Sequence, residues 1–150
     1  MGAVLLPFRA EDAASEADPE TLAEWFAAPP YGATDNPWIW LNPERSRELR
    51  RLVRHLERRF DLGGDWFSAS RDRPERIDAF RDRVRRHADD DEAMYVIRKP
   101  DQGVYTTTNG FLSCWPRLRL EDWGYVVVPT TAAFYFRILH SGTAHIAALA

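Results

Sequence analysis

The sequence predicts an α+β fold of about three N-terminal helices packed on a mostly antiparallel C-terminal β-sheet, in a single α+β domain spanning 1–150. Three observations predict it. Residues 42 to 60 carry apolar side chains at helical spacing. Residues 94 to 149 are rich in β-branched and aromatic residues broken by short turns. The helical patterns precede the strand patterns along the chain. Strands joined by turns of hairpin length pair antiparallel, which places the helices on one face of the sheet.

The elements follow in order. Residues 3 to 8 are apolar and suit an edge strand, and residues 10 to 17 read as a linker or frayed turn. Asp18-Pro19-Glu20 starts a helix with Leu22, Trp25 and Phe26 on its apolar face, and Pro29-Pro30 ends it. Residues 29 to 41 read as an aromatic, proline-punctuated loop holding Tyr31, Trp38 and Trp40.

The next helix, residues 42 to 60, is the most informative. Asn42 suits the N-cap, and Pro43 suits the first helical position, where its missing N–H costs nothing. Leu49, Leu52, Val53, Leu56 and Phe60 share one sector that must face a core. Arg47, Arg50, Arg51, Arg54 and Arg58 gather opposite, and Gly63-Gly64 supplies the stop. Arg47 with Arg51, Arg50 with Arg54, and Arg54 with Arg58 are like-charge pairs that each cost about 0.2–0.5 kcal/mol. A face built for solubility alone alternates its signs. This one reads either as a solvated or internally paired face, or as a stripe that recognises an anionic partner.

A third helix runs from Pro74 to about Ala88, with Ile77, Phe80 and Val84 on one face, and Asp89-Asp90-Asp91-Glu92 ends it. Met94 to Lys99 is a strand, and residues 100 to 103 a turn. Val104 to Thr108 is a β-rich run, and Asn109-Gly110 is a hairpin signal before a strand from Phe111 to Trp115. Gly124 to Val128, Ala132 to Leu139 and Thr143 to Leu149 complete the sheet.

Composition limits the function classes. The net charge is -3, but residues 1 to 42 carry seven acids and one arginine, whereas residues 43 to 88 carry fourteen arginines and nine acids. The acidic third therefore has the charge to neutralise the stripe internally. Nineteen arginines to one lysine point to a GC-rich, bacterial coding sequence and weaken any argument that Arg was chosen over Lys. Cys114 is the one cysteine, so no intrachain disulfide forms. No apolar run approaches membrane-spanning length and the N-terminus lacks a signal-peptide pattern, which together indicate a cytoplasmic protein without membrane attachment.

No phosphate loop, nucleophile elbow or metal-ligand spacing occurs, so no cofactor or metal is expected. A small enzyme would have to use Cys114, His140 or Arg137. A thiol in a strand is more often a small buried hydrophobe, and Arg137, alternating with Tyr135 and Leu139, reads as outward-facing. Nucleic-acid binding has the stripe and nearby aromatics, Trp38, Trp40, Trp66 and Phe67, but a pI of about 5.8 and no recognised motif stand against it. The favoured expectation is a non-enzymatic protein-binding module, an inhibitor or immunity-like protein. Arg47, Arg50, Arg51, Arg54 and Arg58 would engage an acidic protein partner, with Trp38 or Trp40 as anchors.

Overall fold

Among the described residues seven strands join in one sheet in which every neighbouring pair is antiparallel. They are β1 (Trp38–Trp40), β2 (Asp65–Ser68), β3 (Ala93–Lys99), β4 (Gln102–Thr107), β5 (Tyr125–Pro129), β6 (Phe134–Ile138) and β7 (Thr143–Ala148). Their order across the sheet is β1-β4-β3-β5-β6-β7-β2. Four α-helices accompany them among the described residues: α1 (Pro19–Trp25), α2 (Pro43–Phe60), α3 (Pro74–Arg85) and α4 (Thr108–Cys114). The computed structural model describes residues 6–14, 19–26, 37–60, 65–99, 101–119, 124–131, 134–139 and 141–148; of residues 19, 21, 22, 56–60, 99 and 148 the backbone alone is described.

The α+β class holds, but the helices are interspersed with the strands and cover both faces of the sheet. On one face, Trp25 of α1, Phe80 and Val84 of α3, and Phe111 and Leu112 of α4 pack on Val96, Val127 and Phe136. On the other, Leu49 and Val53 of α2 pack with Tyr95, Ile97, Val126, Val128 and Tyr135. The central strands read accordingly. All five residues of β5 are buried, as a strand covered on both sides requires. Leu49 and Val53 are each 1% exposed, and burying each stabilises the α2 contact by about 1.5–3 kcal/mol. Gly103 of β4 permits the close approach of α2, since a Cβ there would lie 2.7 Å from Ser46 Oγ.

Four local expectations change. Trp38–Trp40, expected in a loop, forms β1 against β4. Asp65–Ser68 forms β2 against β7, a strand that the sequence did not announce. Residues 6 to 9 have no regular structure and Ala10–Asp12 is a 3-10 turn, while residues 3 to 5 lie outside the described residues. Thr108–Cys114 is a helix, not a hairpin and strand, because the Thr107 hydroxyl accepts the Gly110 N–H at 3.0 Å and caps it.

Gly124 opens β5 where the chain passes close to β6. A Cβ built there would stand 2.2 Å from the Ile138 carbonyl oxygen, which cannot rotate away. Gly124→Ala is expected to lower unfolding free energy by about 3 kcal/mol, read by urea denaturation. A loss below about 0.5 kcal/mol would contradict this packing.

Candidate functional site

The N-terminus of α2 is held on several sides. Asn42 Oδ1 accepts the Arg45 N–H at 2.8 Å as an N-cap, and the Asn42 amide donates to the Glu11 carbonyl at 2.7 Å. Residues 6 to 14 form a strap across this end. The Ala14 N–H donates to the Trp40 carbonyl, and the Asn42 N–H donates to that of Asp12. Asp12 is 2% exposed and Arg45 8% exposed, and they meet at 3.5 Å. Asp12 also accepts from the Arg9 backbone and side chain. Arg45 reaches Glu48 and the Pro7 carbonyl, each at 3.3 Å, and lies over the Tyr95 ring. Burial raises the Tyr95 phenol above its ordinary pKa despite Arg45 beside it, so it stays neutral and donates to the Leu6 carbonyl at 2.8 Å. A cleft of about 390 Å³ opens between the strap and α2, lined by Leu6, Pro7, Arg9, Arg45, Glu48, Leu49 and Leu52.

The acidic N-terminal third therefore does pair with α2, but through Arg45 on its inner side. Arg47, Arg51 and Arg54 are exposed. At 100° per residue they fall within about 60° of one another, a single ridge pointing away from the sheet. No carboxylate among the described residues forms an ion pair with them. Arg50 is half-buried on the flank of the ridge. Arg58 continues the ridge by its position in the helix, and its side chain lies outside the described residues.

The structure separates Trp38 and Trp40 from this ridge. Both are half-buried on the sheet face opposite α2: Trp40 meets Trp25 edge-on at 5.3 Å and Trp38 packs on Phe26 at 5.7 Å. Among the described residues the exposed tryptophan is Trp66 on β2, at 62%. Its ring lies 4.6 Å from that of His145, which in turn contacts Tyr135, so Trp66 shares the sheet side that α2 covers. Phe67, its neighbour, turns to the other face and stacks on Phe80. Nothing in the local sequence distinguishes Trp66 from the buried tryptophans.

Of the residues weighed for an enzyme site, Cys114 and Arg137 lie on opposite faces of the sheet. Cys114 is buried in the α3–α4 core, and burial pushes its thiol pKa up, although Arg117 lies 3.7 Å from the sulfur. A thiol held neutral is a poor nucleophile. Arg137 is on the opposite face, beside Val126 and His145 in register. It is half-buried on the face that α2 covers, an inward face and not an outward one. His140 lies outside the described residues. Among the described residues no group of three or more His, Cys, Asp or Glu side chains gathers to hold a metal. No described helix is long and apolar enough to cross a membrane. Comparison with protein-family models, curated proteins and solved structures finds no match to this chain.

Proposed function

We propose that this chain is a non-enzymatic protein-binding module, of the bacterial inhibitor or immunity-like kind, that presents Arg47, Arg51 and Arg54 to an acidic partner protein in the cytoplasm. The observation that carries this reading is the exposed ridge, unpaired by any described carboxylate, on a helix whose opposite side is locked into the core. Three guanidiniums in line suit a row of carboxylates, and a helix fixed before binding loses little entropy on docking. Trp66 takes the anchor role first considered for Trp38 and Trp40, because it is exposed and on the same side of the sheet as the ridge.

The same ridge invites comparison with a phosphate backbone. The experiment that separates the two is titration of the protein with labelled single-stranded and duplex DNA. The expected result is binding weaker than about 0.1 mM near physiological salt, because three cations on a chain of net charge -3 make a weak nucleic-acid surface. Binding tighter than about 1 µM that falls steeply with salt would replace the protein-partner reading.

A further inference from the structure

Arg47, Arg51 and Arg54 are exposed, and no described carboxylate pairs with them. The helix that carries them sets their spacing. At a rise of about 1.5 Å per residue, Arg51 stands about 6 Å beyond Arg47, and Arg54 about 10.5 Å beyond it. That spacing is anchored, because Asn42 caps the start of α2 and the buried Arg45 and Leu49 hold its inner side. The row is also bounded. Exposed Glu44 lies three residues before Arg47, about 60° around the axis from it. Glu48, held by Arg45 at 3.3 Å, stands in the same relation to Arg51. Anionic groups laid over these two positions meet like charge, so the ridge suits a narrow row of carboxylates and not a broad polyanion.

An extended acidic segment does not match that row. Side chains on one face of a strand recur about every 6.8 Å, so the third lies about 13.6 Å from the first, some ~3 Å past Arg54. A helix laid along α2 matches at each step, because its own side chains at i, i+3 or i+4, and i+7 follow the same rise. Charged pairs between neighbouring helices set partner choice and orientation in just this way. Two preformed helices also lose less entropy on docking than a segment that must be ordered first.

We infer that the partner protein presents a helix to α2, with three carboxylates on one face aligned on Arg47, Arg51 and Arg54. In a parallel helix they stand at i, i+4 and i+7, and in an antiparallel one at i, i+3 and i+7. This rests on the protein-binding reading and names the partner's binding element.

The test is backbone amide NMR of the labelled full chain, titrated with three Ala/Gln peptides that each carry four glutamates. The first is stapled into a helix with Glu at i, i+3, i+4 and i+7, which serves either direction. The second is an equally stapled helix with its four glutamates spread around the axis. The third keeps the first order but has prolines between the glutamates, which block the helix. The first peptide is expected to shift the amides of residues 47 to 54 with a Kd near about 1 mM, at least fivefold tighter than the other two. R47E/R51E/R54E is expected to lose that peptide and to bind its lysine counterpart instead. Equal binding by the spread or proline peptide would overturn the helical partner while leaving the ridge reading in place. Shifts by the first peptide outside α2, or its undiminished binding to the variant, would overturn the proposal. No shift of α2 by any acidic peptide would overturn both readings.

Discussion

Reversing Arg47, Arg51 and Arg54 together to glutamate is expected to weaken partner binding about a thousandfold while the domain stays folded. Each reversal removes an attraction and installs a repulsion at a desolvated contact. About 1.4 kcal/mol for each of the three sites multiplies to that factor. The fold should be indifferent, because all three side chains are exposed and no described carboxylate depends on them. The helix has a reason to tolerate the change. Arg50 and Arg58 keep their charge, so Arg50 with Arg54 and Arg54 with Arg58 become opposite-charge pairs, while positions 47 and 51 remain a like-charge pair. Unfolding free energy is expected to stay within about 0.5 kcal/mol of wild type, and titration calorimetry with the partner reads the binding loss. Unchanged affinity in a folded variant would remove the ridge from the account.

Asp12→Ala carries the largest expected effect on stability. The carboxylate sits at 2% exposure against Arg45 at 8%, and its removal strands a guanidinium that the protein interior solvates poorly. Breaking a buried pair in this way costs about 3–5 kcal/mol. The lower end applies here, since Arg45 retains Glu48 and the Pro7 carbonyl. The strap also loses its bonds to Arg9. A fall of about 3 kcal/mol in urea denaturation, with an unchanged m-value, is the expected result. A loss under about 1 kcal/mol would show that the strap does not hold α2. This contact fixes the base of α2 from inside and leaves the outer ridge exposed.

The ridge and its cap were legible in the sequence because both are local. Helical spacing alone sorts Leu49 and Val53 from Arg47, Arg51 and Arg54, and Asn42-Pro43 marks the start. The sheet was legible as content but not as layering. The unbroken apolar runs Met94 to Ile97 and Tyr125 to Val128 signal strands buried on both faces. The helices-then-strands order argued instead for one covered face. Asn109-Gly110 is a hairpin signal that lost to a nearby hydroxyl, because Thr107 satisfies the Gly110 N–H and starts α4. β1 has three residues between prolines and loops, too few for alternation to show.

Candidate-site residues divide the same way. The charge of a ridge residue is a sequence fact, whereas exposure is tertiary. Trp38, Trp40 and Trp66 look alike in the chain, yet pairing with β4 turns the first two onto the core and pairing with β7 leaves the third at an open edge. The partnership of Asp12 with Arg45 crosses thirty-three positions and has no local signature. It places one acidic residue of the N-terminal third on the inner arginine, and no described carboxylate pairs with the ridge.

The central claim is that the α2 ridge binds an acidic protein. The measurement that tests it most directly is parallel capture from source lysate on immobilised wild type and on the R47E/R51E/R54E variant, each with and without nuclease, read by mass spectrometry and stoichiometry. The account predicts one acidic protein in near-equal amount on wild type, unaffected by nuclease and missing from the variant. The same protein retained equally by the variant, or a partner set that disappears with nuclease, would contradict it.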